Sequence, residues 1–578
     1  MAVAFSENAV TVLRERYLRR DAAGTVAEDP AGMLRRVASA VAAPATGFGE
    51  DRAFWEARFC ERLERLEFLP NSPTLMNAGL PHGQLAACFV LPIADDLDAI
   101  FGALRRMARI HQTGGGTGFS FSALRPREDR VRSTGGVTSG PLSFMQLFDH
   151  TTAVIRAGGR RRGANMAVLR VDHPDIEEFI DAKRVPGHLE NFNLSVGLTD
   201  AFWAAFDAGA PFALRNPRTA HVVREIDPVA LFDRIVDAAW ATGDPGVLFL
   251  DEINRHNPTP TLGVIEATNP CGEQPLLPYE SCVLGSVNLA KFVAGDGVAW
   301  ARLGEVIRDA VVFLDNVVEA TWYPCPEIEA ATRRTRKIGL GVMGLADLFA
   351  QINIGYDSPE ALALGARIAQ FLTVEGRAAS AELGERRGAF PAFGESVWPR
   401  RGFGAVRNAT VTCVAPTGTL SLLAGVSSGI EPFFALALAR RVLHGRRLDE
   451  LNPTLLAALA PLGATADTVL AGVRAHGGLR GDATLPADLR RRFPIAFDIA
   501  PEFHVRMQAA FQAHVDAAVS KTVNLGSNAP VAAVRAVYCL ARQLRLKGIT
   551  VYRYGSRSGQ TLSMVQEDAR EDCRECAV

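Results

Sequence analysis

The sequence has almost no net charge and no long apolar run. Its 62 basic and 63 acidic side chains leave a formal charge of −1, so no overall basic field would attract a nucleic acid. No segment has the length and apolar character of a membrane span, and the N-terminus lacks the basic start and apolar centre of a signal peptide. These absences argue against nucleic-acid binding, membrane insertion and export.

Cysteine is scarce, at nine residues in 578. In a long chain without export features, this usage indicates a reducing cytoplasm, where cysteines are more often catalytic or metal-binding than structural. Internal repeats and low-complexity linkers are also missing between Phe68 and Gly555. The sequence therefore predicts a cytoplasmic protein with one large catalytic body.

Apolar residues recur at helical spacing near the N-terminus, at Val10, Leu13, Tyr17, Met33, Val37 and Val41. This pattern predicts a helical region over residues 1–67. Further helical patterns over 97–108 and 306–317 alternate with short β-rich runs over 286–289 and 549–552. Alternation of this kind predicts an α/β fold with a parallel element.

The pentapeptide Asn269-Pro270-Cys271-Gly272-Glu273 places a thiol between a carboxamide and a carboxylate. If the segment is extended, its period-2 alternation puts Asn269, Cys271 and Glu273 on one face, as a compact reaction centre. The alternative is a turn marked by Asn-Pro and Cys-Gly, with Cys271 a small buried hydrophobe.

Four other thiols complete the candidate chemistry, namely Cys88, Cys282, and the Cys573 and Cys576 of a terminal Cys-x-x-Cys. That terminal motif is either half of a zinc site or a dithiol that exchanges with disulfides. Between Cys539 and the motif there is no histidine or further cysteine, which favours the dithiol. Residues 558–578 have too few apolar side chains to pack against the rest of the protein, so we predict a flexible tail. Its dithiol would reduce a disulfide elsewhere in the chain.

One separate thiol, a redox pair and a shuttle pair together describe a reduction that uses two electrons per turnover. Six motifs occur in order, at residues 71–79, 114–119, 161–166, 269–273, 415–421 and 550–557. With them the chain resembles the catalytic chain of ribonucleotide reductases, most closely the adenosylcobalamin-dependent class II enzymes. The resemblance runs from about Phe68 to the C-terminus.

The resemblance implies a role for each residue of the reaction centre. Cys271 would be the thiyl radical that abstracts the 3′-hydrogen of the ribose, Glu273 would take the 3′-hydroxyl proton, and Asn269 would hydrogen-bond the sugar. A carboxylate beside a hydroxyl suits general-base catalysis. Cys88 and Cys282 would supply two electrons as the 2′-hydroxyl leaves as water.

The resemblance also implies how the centre is supplied with electrons and substrate. The Cys573 and Cys576 dithiol would reduce the oxidised pair and be recharged by thioredoxin or a similar carrier. A ribonucleoside diphosphate would bind in a pocket formed by Ser72, Ala87, Gly116, Asn269, Pro270, Cys271, Gly272, Glu273, Pro416, Thr417, Gly418, Thr419 and Leu420. In isolation, the Pro-Thr-Gly-Thr stretch would be an ordinary turn, although its glycine and hydroxyls suit a phosphate cradle.

Charged residues upstream fall where related reductases bind an allosteric deoxynucleoside triphosphate. These residues are Asp95, Arg125 and Arg132. Residues 158–166, in which Arg160 to Arg162 lie between glycines, match the loop that relays effector identity. The same charges could equally form surface ion pairs. In such enzymes the effector site lies at a dimer interface, so the resemblance implies a homodimer.

The radical source follows from motifs that the sequence lacks. It has Tyr552-Arg553-Tyr554 where class I relays have adjacent tyrosines, and no class III glycyl-radical motif. Adenosylcobalamin is therefore the expected cofactor, held without the Asp-x-His-x-x-Gly motif, and no protein metal site is expected. The alternatives are a class I subunit that needs a radical-generating partner, or a nucleotide-sensing binding protein on the same scaffold.

The fold implied is a ten-stranded α/β barrel over residues 68–557, built from two antiparallel five-stranded halves with the Cys271 loop as a central finger. The region before Asn71 is too short for a separate ATP-binding module. We therefore expect specificity control without an overall ATP/dATP activity switch.

Overall fold

The structure is a computed structural model of the chain and describes residues 3, 5–131, 135–157, 161–442, 446–481, 483–557 and 562–564. The α-helices are α1 (Glu7–Arg16), α2 (Pro30–Ala42), α3 (Arg52–Glu64), α4 (Ser72–Asn77), α5 (Leu97–Gln112), α6 (Pro141–Val154), α7 (Ile176–Asp181), α8 (Asp200–Ala208), α9 (Pro228–Thr242), α10 (Leu250–Arg255), α11 (Trp300–Ala320), α12 (Pro326–Thr335), α13 (Leu345–Gln351), α14 (Pro359–Arg387), α15 (Gly418–Ala424), α16 (Pro453–Leu459), α17 (Ala464–His476), α18 (Ala487–Arg492), α19 (Pro501–Gln512) and α20 (Val531–Gln543). Within these ranges no helix is both long and apolar enough to span a bilayer.

The strands are short and alternate with the helices. They are β1 (Phe68–Pro70), β2 (Cys88–Val90), β3 (Gly116–Ser120), β4 (Arg156–Ala157), β5 (Arg161–Arg162), β6 (Asn165–Arg170), β7 (Phe192–Leu198), β8 (Phe212–Arg215), β9 (Val222–Ile226), β10 (Gly246–Phe249), β11 (Ala267–Thr268), β12 (Pro275–Leu276), β13 (Ser281–Asn288), β14 (Val293–Ala294), β15 (Gly297–Val298), β16 (Ile338–Met343), β17 (Ala437–Val442), β18 (Arg446–Leu451), β19 (Thr522–Leu525), β20 (Gly548–Arg553) and β21 (Leu562–Met564).

The N-terminal helices α1 to α3 form as the sequence predicts. Ser6, Asp29 and Asp51 precede them, and each side chain accepts a backbone N–H of the first turn, which satisfies donors that a helix start leaves unpaired. Of the predicted apolar positions, Val10 is half-buried and the other five, Leu13, Tyr17, Met33, Val37 and Val41, are buried. These helices therefore pack through the stripe that the sequence periodicity marks.

The main sheet consists of two halves. The strands within each half run parallel, and the two halves meet through antiparallel pairs. Strands β2, β3, β6, β7 and β10 run parallel in that order, and β10 then pairs antiparallel with β20. In the other half, β13 pairs parallel with β16, and β19 pairs parallel with β20. β13 returns antiparallel to β2.

Two isolated parallel bridges close the second half. Leu340 of β16 pairs with Thr412, and Val414 pairs with Val519, just before β19. The segment around Thr412 thus acts as the fifth strand of this half. The prediction of a ten-stranded α/β barrel made of two antiparallel five-stranded halves is confirmed, and the centre of the ring is where a finger loop can lie.

One local expectation needs correction. Tail residues 562–564 form β21, which pairs antiparallel with β17, so this part of the predicted flexible tail is ordered by strand addition. The helical pattern over 97–108 is confirmed by α5, and two of its apolar side chains, Leu97 and Phe101, are 61 % and 49 % exposed. Exposed apolar side chains grouped on one helix mark a surface suited to association.

Candidate active site

The pentapeptide forms a turn, in contrast to the extended arrangement considered from the sequence. Strands β11 and β12 pair antiparallel, and the finger, residues 267–276, turns between them. Asn269 closes the turn: its backbone N–H donates to the Gln274 carbonyl over 3.1 Å, and its Oδ1 accepts from the Gln274 N–H over 3.0 Å. Gly272 has a φ of +83°, which a residue with a side chain rarely adopts.

The turn divides its functional groups between two sides. Asn269 and Glu273 are each 2 % exposed, whereas the Cys271 thiol is exposed at the tip. Neither sequence interpretation described this, since one placed all three groups on a single face and the other buried Cys271. The turn directs the amide and carboxylate inward and leaves the thiol facing a cavity.

Glycines on β3 let the finger lie against the barrel wall. A Cβ at Gly118 would lie 1.7 Å from the Thr268 carbonyl oxygen, and one at Gly116 would lie 2.8 Å from Pro270 Cγ. From β7, the Asn193 side chain donates to the Pro270 carbonyl over 2.7 Å. The finger is therefore seated by backbone contact that only glycine permits, and by one amide hydrogen bond.

Two of the predicted redox thiols are direct neighbours. Cys88 of β2 and Cys282 of β13 are cross-strand partners on antiparallel strands, and both are free thiols. Residues opposite one another in this way have Cβ atoms about 4.5–5.5 Å apart, and a disulfide needs about 3.5–4.5 Å. A small local shift would therefore suffice to join them.

Cys88 also contacts both inward groups of the finger. The Asn269 amide donates to Cys88 Sγ over 3.1 Å, and the thiol lies 3.8 Å from Glu273 Oε1, within hydrogen-bonding distance for sulfur. The structure thus brings Cys88, Cys282, Asn269 and Glu273 into one buried group. The exposed Cys271 lies on the same short turn.

Burial sets the protonation of the redox pair. It raises the pKa of Cys88 well above its ordinary value, and the adjacent Glu273 carboxylate raises it further. Burial likewise raises the pKa of Cys282, with a further contribution from the nearby Cys413 thiol. Both groups are S–H at neutral pH, a form that is a weak nucleophile but retains its hydrogen atom.

Cys413 is a further thiol of this region. It is fully buried and belongs to the same apolar cluster as Cys88 and Cys282. A Cβ at Gly339 would lie 2.7 Å from Cys413 Sγ, so glycine leaves the room that this thiol occupies. Cys60, Cys325 and Cys539 are half-buried elsewhere.

A cavity of about 1040 Å³ opens next to the finger tip. Of the predicted substrate residues, it is lined by Pro270, Cys271, Gly272, Pro416 and Gly418. This volume lies at the upper end of small-molecule sites, which range over roughly 300–1,000 Å³. One space thus contains the exposed thiol and the start of the predicted phosphate loop.

Three other predicted substrate residues lie behind the wall of this cavity as the structure describes it. The Ser72 hydroxyl shares a 2.7 Å hydrogen bond with the Tyr17 hydroxyl, and the Ala87 carbonyl accepts from the Gly116 N–H over 2.8 Å. Gly116 contacts Pro270, as described above. Ala87 and Gly116 therefore lie beneath the finger, whereas Ser72 is held by Tyr17.

The predicted phosphate loop is braced from a neighbouring loop. The Thr417 N–H donates to Ser428 Oγ over 3.0 Å, and Thr417 Oγ1 accepts from the Gly429 N–H over 2.8 Å. Leu420 is buried in α15, which begins at Gly418. Thr419 follows in its first turn, where helical N–H groups have no carbonyl partner within the helix.

Sequence reasoning missed several residues of the cavity wall. Arg440 lies on the wall and donates to the Gly418 carbonyl over 3.2 Å, while Lys521 is buried against Glu431 at 2.6 Å. Asn193 and Ser428 also line the cavity. The hydroxyl-rich stretch 427–429 resembles the phosphate loop in composition and could have indicated Ser428, but the others have no local sequence signal.

The predicted effector residues are only partly within the described chain. Arg125 forms an ion pair with Asp95, with Nε 2.7 Å from Oδ2. The two residues lie on the loops that follow β3 and β2. This arrangement is the surface ion pair that the sequence analysis gave as the alternative to an effector site. Arg132 and Arg160 lie outside the described residues, and Arg161–Arg162 form β5, which pairs with β4.

The tail dithiol, Cys573 and Cys576, also lies outside the described residues. Among the residues that are described, no group of three or more histidine, cysteine, aspartate or glutamate side chains could hold a metal ion.

Comparison with known proteins identifies the family of the chain. Residues 3–83 match the family model described as ribonucleotide reductase, all-alpha domain, and residues 86–405 and 403–552 match the model described as ribonucleotide reductase, barrel domain. The chain is 54 % identical over 558 residues to the vitamin B12-dependent ribonucleoside-diphosphate reductase of Mycobacterium tuberculosis, covering 96 % of this chain and 80 % of that protein.

A second relative and a solved structure extend the comparison. The protein of the same name from Thermoplasma acidophilum is 44 % identical over 614 residues, covering 96 % of this chain and 80 % of that protein. The class Id ribonucleotide reductase alpha subunit of Actinobacillus ureae superposes with a TM-score of 0.78 at 23 % identity, covering 95 % of this chain and 97 % of that chain, which supports the fold. The chain belongs to the ribonucleotide reductase family.

Proposed function

We propose that this chain is a vitamin B12-dependent ribonucleoside-diphosphate reductase, an enzyme that makes DNA precursors. The observation that carries the proposal is the finger, which exposes one thiol to a large cavity while holding Asn269 and Glu273 against a buried thiol pair. The printed names of the two relatives, at 54 % and 44 % identity, support the cofactor and the diphosphate substrate.

The cavity wall fits a large cofactor that no protein histidine ligates. Within the described residues, no histidine lines the cavity, whereas Phe434, Leu438 and Tyr552 give it apolar and aromatic surface. These residues would hold adenosylcobalamin. When bound, the cofactor supplies the homolytic chemistry that creates a radical at Cys271.

The protein's own groups then perform the reduction. Cys271, as a thiyl radical, takes the 3′-hydrogen of the ribose and returns it at the end of the cycle. Glu273 would accept the 3′-hydroxyl proton and Asn269 would donate to the sugar, and for this both side chains must turn from Cys88 toward the ribose when substrate binds. Cys88 and Cys282 together give two electrons and two protons, so that the 2′-hydroxyl leaves as water and one disulfide forms.

The protonation of the pair suits this role. Because burial keeps both groups as S–H, each has a hydrogen atom to deliver and neither competes as a thiolate with the substrate hydroxyls. Exclusion of water by the buried strands would also protect radical intermediates from side reactions.

The phosphates of the substrate would bind at the loop that begins at Pro416. Backbone N–H groups at the start of α15 supply donors, and the Arg440 guanidinium, which is paired with Glu450 at 3.0 Å, lies beside them on the cavity wall. The distance between this loop and the finger tip would then set the position of the ribose over Cys271.

Electron supply, regulation and assembly complete the proposal. We assign recharging to the Cys573 and Cys576 dithiol with thioredoxin or a similar carrier, and effector binding to Asp95, Arg125 and Arg132. Exposed Leu97 and Phe101 on α5 support a homodimer through this face. The division into residues 1–67, 68–557 and 558–578 stays a prediction.

Replacement of both Cys573 and Cys576 by serine is expected to lower thioredoxin-driven turnover at least about tenfold, because a protein carrier cannot reach a fully buried pair. Turnover with dithiothreitol, a small dithiol, should fall less than about twofold. The measurement is deoxynucleotide formation with each reductant, with the Cys539→Ser variant as a control. Equal losses with both reductants would contradict the shuttle.

The experiment that tests the function itself is product formation by the purified chain under anaerobic conditions. Cytidine diphosphate, dithiothreitol and a mixture of deoxynucleoside triphosphates are supplied with and without adenosylcobalamin. Deoxycytidine diphosphate formed only with the cofactor is the expected result. Activity that instead requires a second protein would place the chain among class I subunits and overturn the cofactor assignment.

A further inference from the structure

Lys547 is a buried ammonium whose hydrogen bonds lead toward the finger. The residue is 4 % exposed and immediately precedes β20. Its Nζ donates to the Asp516 carbonyl over 2.9 Å and also to the Ala517 carbonyl. Burial of a charge is unfavourable unless it is well hydrogen-bonded, so these two carbonyls are what stabilises the ammonium here.

The carbonyls belong to the loop between α19 and β19, residues 513–521, which contacts the finger directly. The Ala518 N–H donates to the Glu273 carbonyl over 2.9 Å, and the Ala518 carbonyl accepts from the Val414 N–H over 3.0 Å. The Ala517 N–H in turn donates to the Thr412 carbonyl over 3.0 Å. The loop thus connects the finger to the strand that leads into the phosphate loop.

We propose that Lys547 is a positioning residue for the finger. Its ammonium fixes the carbonyls of Asp516 and Ala517, and the next amide, that of Ala518, fixes the backbone of Glu273. The inference rests on the proposed reductase function, since Glu273 is the group assigned to the 3′-hydroxyl proton. A shift of about 1 Å at such a group can cost on the order of 100-fold in rate.

The charged groups around Lys547 make its hydrogen bonds to the Asp516 and Ala517 carbonyls sensitive to pH. Burial lowers the pKa of the ammonium, and the facing carboxylates of Asp516 and Glu252 raise it again, leaving it at about 8. The other charged groups packed around these carboxylates are Arg377 on Asp516, and Arg255, Arg545 and His256 on Glu252. The Lys547 charge also helps to lower the pKa of His256.

Loss of the proton would loosen the finger without unfolding the protein. A neutral amine donates more weakly to a carbonyl than an ammonium does, so the loop is held less firmly above about pH 8. Between that pH and the ordinary lysine value near 10.5, the unfolded chain binds more protons than the folded chain. The contribution of this group to stability therefore rises with pH while turnover falls.

The test compares the wild type, Lys547→Arg and Lys547→Gln, each loaded with adenosylcobalamin and assayed with cytidine diphosphate, dithiothreitol and deoxynucleotide effectors. An arginine keeps its charge, so the ratio of wild-type kcat to Lys547→Arg kcat should fall about tenfold from pH 7 to pH 9. Thiols that titrate in every variant cancel in this ratio. Lys547→Gln should have a low kcat whose ratio to that of Lys547→Arg does not change with pH.

A measurement on the cofactor-free chain reports on the loop itself. Hydrogen–deuterium exchange of peptides over 513–521 and 267–276 should be faster in Lys547→Gln than in Lys547→Arg, with peptides of α1 and α2 unchanged. In Glu252→Gln, loss of a facing carboxylate should move the alkaline fall in kcat to lower pH.

The outcomes separate this inference from the proposed function. If the wild type forms no deoxynucleotide, the proposed function fails, and the positioning role of Lys547 is then tested by hydrogen–deuterium exchange alone. If the wild type turns over but shares its pH profile with Lys547→Arg, the positioning role is overturned. Equal exchange of both peptides in Lys547→Gln and Lys547→Arg would overturn it as well.

Discussion

Replacement of Cys271 by serine should reduce turnover at least about a thousandfold, which corresponds to ~4 kcal/mol of activation free energy. The structure gives the reason, since Cys271 is the thiol of the finger that faces the cavity, while Cys88 and Cys282 are buried behind it. A serine hydroxyl has nearly the same shape but holds its hydrogen atom much more strongly, so it cannot become the radical. The measurement is deoxycytidine diphosphate formation under anaerobic conditions with adenosylcobalamin.

The control for this variant is Cys60→Ser, which changes a half-buried thiol on α3 outside the site. It should keep activity within a factor of about two, as expected for a substitution away from functional groups. Substrate binding by Cys271→Ser, measured by equilibrium dialysis, should also stay close to wild type. Appreciable product from Cys271→Ser would remove the radical assignment.

Replacement of Gly118 by alanine should cost at least about 100-fold in kcat, because it displaces the finger. The added Cβ would lie 1.7 Å from the Thr268 carbonyl oxygen, a backbone atom that cannot move without its strand. The finger must therefore shift away from β3, and with it Cys271 and Glu273. Overpacking of this kind also lowers the free energy of unfolding, typically by about 1–3 kcal/mol.

Gly526→Ala provides the matched control, since a Cβ there would meet no atom within 4 Å. Its kcat and thermal midpoint should match the wild type. Anaerobic kinetics and thermal unfolding of both variants measure the two effects separately. A Gly118→Ala protein with wild-type kcat would show that the position of the finger against β3 does not control the reaction.

The sequence was informative where chemistry is concentrated in short stretches. The pentapeptide around Cys271 could be selected because it concentrates a thiol, an amide and a carboxylate in five residues, and the redox role of Cys88 and Cys282 was implied by the family resemblance. The α/β alternation and the N-terminal helices could be predicted because apolar periodicity is a local property.

The sequence could not specify which way the finger turns. Asn269 and Glu273 face inward because the turn lies against β3, whose Gly118 is distant in sequence and adjacent in space. Lys547 and Asn193 were missed for the same reason, since each acts through a backbone carbonyl that tertiary folding brings to it. Such contacts leave no pattern in neighbouring residues.

The pairing of β21 with β17 limits the distance at which the terminal dithiol can lie from the cavity. Leu562 of β21 lies on the cavity wall, so the chain is attached at the rim of the site itself. The stretch from Met564 to Cys573 cannot exceed about 30 Å at the 3.3–3.6 Å that one residue can span. If the dithiol reduces the Cys88 and Cys282 pair as proposed, a position within that radius corresponds to a local concentration on the order of 10 mM, which a free external dithiol must match to compete.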